Sequence, residues 1–167
     1  RYSGGILGTV NALGGKNTIE HCLNSGTITT RATTNPCIGG ICGTVMTNSS
    51  LQLTDNLNVG NITTERGIYG IGSILGRALG KTTVLVIENN YATAESYYTA
   101  LGGSEAKTTG VSTRLRTVNL VGYEGYQWTN LDFEKYWTVV MDGTPTLQSF
   151  TDHIVDVDGI AKKIDTS

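Results

Sequence analysis

This chain of 167 residues contains few of the residue types that disordered linkers, metal centres and disulfide frameworks require. It has two prolines, two histidines and three cysteines, and charged residues make up only 16% of it. Scarce proline argues against a long disordered linker, and two histidines leave little material for a histidine-based metal centre or a catalytic triad. An odd cysteine count excludes a complete set of intramolecular disulfides. We therefore predict no metal and no cofactor.

The charge balance excludes two further classes of partner. The formal net charge is −2 and the sequence pI is about 5.6, so the chain lacks the basic surface that nucleic acid or anionic lipid would attract. No apolar run approaches the roughly 18 residues that a membrane-spanning helix needs. We predict a chain that binds no nucleic acid and contains no membrane span.

Glycine is abundant, with 22 residues, and it recurs inside a repeated phrase. The three copies of this phrase are SGGILGTV at 3–10, IGGICGTV at 38–45 and IGSILGRA at 71–78. A second phrase follows each copy, as IEHCLNSGTI at 19–28, LTDNLNVGNI at 53–62 and IENNYATAES at 87–96. The chain therefore repeats itself about every 34 residues, a period that indicates a repeat architecture.

Apolar residues alternate with other residues inside the phrases, and glycines would interrupt a helix there, so the pattern predicts strands. Coils of this length are expected to stack in parallel, which aligns like residues in columns. Two columns are predicted to be interior: Ile6, Ile41 and Ile74, and Ile19, Leu53 and Ile87. The glycines are expected to turn corners with positive φ. The predicted fold class is all-β: a right-handed parallel β-solenoid of about three coils.

Polar columns run beside the apolar ones. Cys22, Asn56 and Asn90 are expected to face inward, whereas His21, Asp55 and Asn89 are expected to form a solvated or turn-capping ladder. Cys37 and Cys42 lie five residues apart, and spacing alone leaves open whether they form a disulfide.

Glu20 and Glu88 share a column two rungs apart. That separation is roughly 10 Å, close to the distance between the carboxylates of inverting glycosidases. Solenoid enzymes crowd several aspartates and basic residues onto one face, whereas Asp55 is the only aspartate in residues 1–96. We predict no enzyme and no catalytic residue, with a polysaccharide-degrading solenoid as the third-ranked function.

The two phrases together, Gly-Gly-Ile-x-Gly and Ile-Glu-x-Cys/Asn-x-Asn-x-Gly-x-Ile, resemble the GLUG repeat over residues 3–96. Trp137 followed by the phrase DGTPTL at 142–147 is similar to the end of that family's repeats. GLUG repeats occur in large bacterial surface proteins, including adhesins and non-catalytic regions of immunoglobulin A peptidases. The resemblance implies a structural, spacer or adhesion module, extracellular and secreted or cell-wall attached, with neighbouring domains of the parent chain as partners. The start at Arg1, without methionine, is consistent with a fragment.

Beyond the repeats the composition changes, which divides the chain into residues 1–96, 97–150 and 151–167. Residues 97–120 are polar and are expected to form an irregular insertion, and the aromatic residues that follow are expected to form a cap on the last coil. Residues 151–167 are expected to form a hairpin or to begin another domain. An alternative function is binding of a host glycan or protein, and its candidate residues are Tyr123, Tyr126, Trp128 and Tyr136.

Overall fold

The computed structural model describes residues 2–31, 36–65, 70–80, 83–93, 99–103, 107–109, 112–115 and 119–150. Its first three coils consist of short strands that recur in the same order. Coil 1 contains β1 (Tyr2–Gly4), β2 (Leu7–Val10), β3 (Lys16–Glu20), β4 (Leu23–Asn24) and β5 (Ile28–Thr30). Coil 2 contains β6 (Cys37–Gly39), β7 (Cys42–Val45), β8 (Ser50–Thr54), β9 (Leu57–Asn58) and β10 (Ile62–Thr64). Coil 3 contains β11 (Ile71–Gly72), β12 (Leu75–Ala78), β13 (Val84–Glu88) and β14 (Asn90–Thr93).

Each strand pairs in parallel with its counterparts in the neighbouring coils. The sheets are β1-β6-β11, β2-β7-β12, β5-β10, a long-strand sheet that begins β3-β8-β13 and a lateral sheet that begins β4-β9-β14. The register follows the repeat: Ile19 pairs with Leu53, and Leu53 with Ile87. These observations confirm the predicted all-β parallel solenoid of about three coils.

The two predicted interior columns form the core. Ile41, Ile74 and Leu53 are fully buried, and Ile19 and Ile87 are nearly so, in one cluster that also contains Val10, Cys42, Val45, Leu51, Leu75, Ala78, Leu85 and Ala92. Ile6 is the exception, with 44% of its surface exposed. It lies in coil 1, which has a described neighbour on one side only.

The phrase glycines allow two layers of backbone to touch. A Cβ placed on Gly39 would lie 1.8 Å from the Cys42 carbonyl oxygen and 2.7 Å from the Gly76 nitrogen. The prediction that these glycines provide positive φ is wrong. The described glycines with positive φ are Gly14, Gly70, Gly80 and Gly122, and all four lie outside the repeated phrases. The β1-β6-β11 and β2-β7-β12 sheets therefore pack against each other with no side chain between them at these positions.

Buried asparagines link the coils at intervals of 34 residues. The Asn56 Nδ2 donates to the Asn90 Oδ1 over 2.8 Å, and the Asn24 Nδ2 donates to the Asn58 Oδ1 over 2.8 Å. Cys22 occupies the coil 1 position of the first column, and its backbone N–H donates to the Asn56 Oδ1. We call these two columns the asparagine ladders. They satisfy polar groups inside the coil, as burial requires.

The expected irregular insertion is wrong for the described strands between residues 99 and 115, because they begin a fourth coil. β15 (Lys107–Thr109) pairs in parallel with β13, and β16 (Ser112–Leu115) pairs in parallel with β14. Leu101 forms a parallel bridge with Leu75. Leu101 packs against the core cluster and so extends one apolar column, whereas β15 and β16, whose residues are mostly polar, continue the sheets by parallel backbone pairing.

The aromatic segment forms a small unit that contains α1 (Tyr123–Gln127), an antiparallel hairpin of β17 (Trp137–Val140) and β18 (Gly143–Leu147), and a 3₁₀ turn at Gln148–Phe150. Its described contacts lie along the side of the solenoid, on the lateral sheet, and not over the last coil as expected. Trp137, Phe133 and neighbouring apolar residues bury Leu57 of coil 2 and Tyr91 of coil 3. The Tyr91 hydroxyl accepts a hydrogen bond from the Asn130 N–H over 2.8 Å.

In the described ranges no helix has the length and apolar character that a bilayer crossing requires. The hairpin predicted within 151–167 lies outside the described residues.

Candidate functional site

Three of the four predicted binding residues lie on or beside α1. Trp128 has 57% of its surface exposed and Tyr123 has 38%. The Tyr126 ring meets the Tyr123 ring edge-on at 5.8 Å and the Phe133 ring at 5.4 Å. Tyr126 is therefore anchored in the core of the unit, whereas Tyr123 and Trp128 offer aromatic surface. The Trp128 indole N–H donates to the Glu124 carboxylate, which limits the orientations of the ring.

Tyr136, the fourth predicted residue, makes a different contact. Its ring stacks on the imidazole of His21 with 3.6 Å between centroids and 16° between planes. Tyr136 thus joins the aromatic unit to coil 1, and it keeps 41% of its surface exposed. The sequence offered no signal for this pairing, since the two residues lie 115 positions apart.

His21 belongs to a column of corner residues that share one unusual backbone conformation. The φ values of His21, Asp55 and Asn89 are 52°, 54° and 51°. Asn, Asp and His are the residue types other than glycine that are most enriched in this left-handed region. The column therefore turns the chain from the long-strand sheet into the lateral sheet, which agrees with a turn-capping role.

The corner residues of coils 1 and 2 form a polar cluster beneath Tyr136. The His21 Nδ1 lies 3.4 Å from the Asp55 Oδ2, and both side chains are largely buried. The Asp55 Oδ1 is buried and has no hydrogen-bond partner among the described residues. Burial raises the pKa of Asp55, and the charges of Asp132 and Glu20 add to this, whereas His21 and a hydrogen bond from Asn89 oppose it. Asp55 is thus an incompletely compensated carboxylate.

Asp55→Asn is expected to stabilise the protein at neutral pH and to lose this advantage in acid. Because the folded-state pKa of Asp55 lies above its usual 3.8, folding favours the protonated form, and the free energy of unfolding falls as pH rises through the folded-state pKa. Asparagine has no such dependence and suits the left-handed corner, as Asn89 does. Urea denaturation across the acid range tests this, with Asp142→Asn on the exposed hairpin turn as the control.

A stability gap between Asp55→Asn and wild type that stays constant with pH would contradict this prediction. A gap that widens in acid would contradict it as well, because Asp55 would then be stabilising as a carboxylate.

The cysteines provide no activated thiol among these groups. Burial raises the pKa of Cys42 to about 12, and burial together with the charge of Glu20 raises the pKa of Cys22. Both residues therefore favour the protonated thiol, which is a poor nucleophile. Cys37 and Cys42, whose pairing the sequence left open, are both free thiols.

The two glutamates considered for catalysis do share a column. Glu20 pairs with Thr54, and Thr54 with Glu88, on the outer face of the long-strand sheet. A shallow depression of about 170 Å³ lies on the same sheet, lined by Lys16, Asn17, Thr18, Ser50, Leu51, Gln52, Val84 and Val86. Within the part of the chain that the structure describes, no group of three or more His, Cys, Asp or Glu side chains is arranged to hold a metal ion.

No protein-family model, no curated protein and no solved structure matches this chain.

Proposed function

We propose that this chain is a non-catalytic structural module, a stiff spacer within a larger secreted or cell-surface bacterial protein. One observation carries the proposal: equivalent residues of successive coils pair in register in the long-strand sheet, from β3 through β8 to β13. A stack of this kind holds its two ends at a fixed separation, because every coil is bonded along its length to the next. The GLUG-like phrases over residues 3–96 support the surface location and an accessory role, as in peptidases or adhesins.

The internal contacts explain why such a spacer would be stiff. Bending the stack would open one side of each coil interface, where backbone hydrogen bonds, the core cluster and the asparagine ladders act together. Gaps between coils would expose apolar surface at a cost of about 25 cal/mol per Å². The interface therefore favours one separation between coils over a range of separations.

The spacer function can be tested by distance measurements on a fusion. The full chain is placed between a donor and an acceptor fluorescent domain, and single-molecule energy transfer is compared with that of a Gly/Ser linker with the same number of residues. Such a linker behaves as a flexible coil with a broad range of end-to-end distances. We expect one narrow distance population for the chain, and broadening to the linker's range when urea unfolds it.

Two outcomes would contradict the proposal. A native-state distance distribution as broad as that of the linker would exclude a stiff spacer. Hydrolysis of a polysaccharide that is lost in Glu20→Gln and in Glu88→Gln would instead support a solenoid enzyme.

A second candidate function is binding of a host glycan or protein by the aromatic unit, and the exposure of Trp128 favours it. Aromatic rings at exposed positions are common binding anchors. If this surface binds, Trp128→Ala should abolish a glycan-array or pull-down signal and leave the melting temperature unchanged, because the side chain is 57% exposed. Trp128→Phe keeps an aromatic ring and should retain part of the signal. An unchanged signal in Trp128→Ala would remove this residue from the site.

A further inference from the structure

The outer face of the long-strand sheet carries three columns of solvent-facing side chains. Alternate residues of β3, β8 and β13 face outward, whereas the residues between them, such as Leu53 and Ile87, are buried in the core. Read from coil 1 to coil 3, the columns are Lys16, Ser50 and Val84; Thr18, Gln52 and Val86; and Glu20, Thr54 and Glu88. Neighbouring columns are about 7 Å apart along the strands, and neighbouring coils are about 4.8 Å apart. The face looks sideways from the stack, so a further coil would extend it and would not cover it.

The first two columns line the depression of about 170 Å³ on this face. Coil 3 contributes two apolar residues to it, Val84 and Val86, where coils 1 and 2 have polar ones. Val84 is 49% exposed. The volume is well below the roughly 300–1,000 Å³ of pockets that enclose a drug-sized molecule. The depression therefore suits one unit of a longer ligand that lies along the face.

The polar side chains beside the two valines are available to a ligand. Among the described residues, the Thr18 hydroxyl, the Gln52 amide and the Lys16 ammonium group have no hydrogen-bond or ion-pair partner. The site thus combines an apolar floor with a few free polar groups, which is the usual composition of a binding site. A pyranose ring has the complementary surfaces, because it presents an apolar C–H face and a rim of hydroxyl groups.

The charges on the face favour an acidic sugar. Lys16 is the cationic residue of the lining, and the column that contains Glu20 and Glu88 lies about 13 Å from it along the strands. A carboxylate on the ligand would be attracted to one side of the face and repelled from the other, which fixes the orientation of the ligand. The net charge of −2 is unevenly distributed: residues 1–118 contain nine Lys or Arg against six Asp or Glu, and residues 119–150 contain one against four.

The spacing of the coils also fits a polysaccharide. Equivalent positions on this face recur about every 4.8 Å along the stack. The rings of an extended polysaccharide with equatorial linkages repeat at nearly the same distance. A chain that lies along the stack would therefore place successive rings over successive coils.

We propose that the outer face of the long-strand sheet binds a linear polysaccharide that contains uronic acid, without cleaving it. One ring packs on Val84 and Val86, and the carboxylate of a ring nearer coil 1 pairs with Lys16. Hydroxyl groups bind to Thr18 and Gln52. The proposal does not depend on the spacer function, and its surface is separate from the aromatic unit, whose described contacts lie on the lateral sheet.

Calorimetric titration of the full chain with two hexasaccharides tests the proposal. One is β-1,4-linked mannuronate, and the other is β-1,4-linked mannose, which has the same ring and linkage without the carboxylate. We expect binding of the mannuronate and at least tenfold weaker binding of the neutral hexamer. Lys16→Gln should raise the dissociation constant for mannuronate by about threefold to tenfold. Val84→Glu should raise it by about tenfold or more, because it places a like charge on the floor of the site.

The control is Lys135→Gln, which makes the same change of charge on the aromatic unit and should leave the dissociation constant unchanged. Trp128→Ala should leave it unchanged as well. Equal melting temperatures for all variants would show that the fold is retained, as expected for exposed side chains. Absence of mannuronate binding at millimolar ligand would overturn the proposal, as would wild-type affinity in Lys16→Gln. An equal loss in Lys135→Gln would overturn it by showing a general attraction, and a loss confined to Trp128→Ala would place the site on the aromatic unit instead.

Discussion

Gly39→Ala is expected to destabilise the protein by about 4 kcal/mol or more, which places it among the most severe single substitutions. The new methyl group would lie 1.8 Å from the Cys42 carbonyl oxygen and 2.7 Å from the Gly76 nitrogen. Both are backbone atoms that belong to paired strands, so no side chain can rotate away to make room. Relief requires separation of two sheets, and a domain with 5–15 kcal/mol of stability would lose much of it. Urea denaturation followed by circular dichroism measures the loss.

Gly15→Ala is the matched control for this substitution. A Cβ on Gly15 would have its nearest neighbour, the Ala12 Cβ, at 3.8 Å, which is ordinary contact. The substitution should be neutral, or stabilising by about 0.4–1 kcal/mol through the reduced freedom of the unfolded chain. If Gly39→Ala were as stable as Gly15→Ala, the direct backbone contact between the two sheets would be contradicted.

Asn56→Ala is expected to cost about 4 kcal/mol, the second large effect. The side chain is fully buried and makes three hydrogen bonds: its Nδ2 donates to the Ile19 carbonyl and to the Asn90 Oδ1, and its Oδ1 accepts from the Cys22 N–H. Alanine leaves these partners without Asn56, at about 1–3 kcal/mol for each buried group left unsatisfied. Their shared network makes the loss greater than that of one average hydrogen bond.

The exposed Asn61 is the control for Asn56. Asn61→Ala keeps the backbone carbonyl that accepts from the Ile28 N–H and should change the free energy of unfolding by no more than about 0.5 kcal/mol. Chemical denaturation of both variants provides the comparison. Equal stabilities for Asn56→Ala and Asn61→Ala would mean that the asparagine ladder does not stabilise the stack.

The fold of the first three coils could be predicted because the repeat places the same residue types in the same columns. Ile19, Leu53 and Ile87 occupy the same position in three successive coils, and all three are apolar. Coils that stack in register bury all three side chains together, which explains why this position is apolar in every coil. The fourth coil lacks that signal, since its strands read KTT and STRL at 107–109 and 112–115. Leu101 beside Leu75 continues one apolar column there, but the pairing of these two strands is made by backbone groups, which leave no mark on the sequence.

One residue of the lateral sheet, Leu57, indicates where the aromatic unit packs. Leu57 stands between Asn56 and Asn58, whose side chains take the inward positions, so its own side chain faces outward. An outward leucine that is fully buried requires a partner on the outside of the sheet. Solenoids in general need a cover over the last coil, but the outward Leu57 binds the aromatic unit to the side of this stack.

The candidate site was predictable only in part. Tyr123 and Trp128 could be named as candidates because aromatic residues are concentrated in that part of the sequence. The contact between His21 and Tyr136 could not be predicted, because it depends on how two distant segments pack. The column of His21, Asp55 and Asn89 was visible as a polar column, but its left-handed backbone was not. The sequence indicated this conformation only through the residue types, because His, Asp and Asn are the non-glycine residues most enriched in the left-handed region.

The asparagine ladders also restrict how a gene for such a chain can change in length. Each ladder bond joins residues that are 34 positions apart, so an insertion of a few codons within a strand moves an asparagine out of line with its partner. Duplication or loss of one whole coil, about 34 codons, leaves every surviving column intact. Related genes should therefore differ by whole coils, and shorter insertions should be confined to the loops that lie outside the ladders.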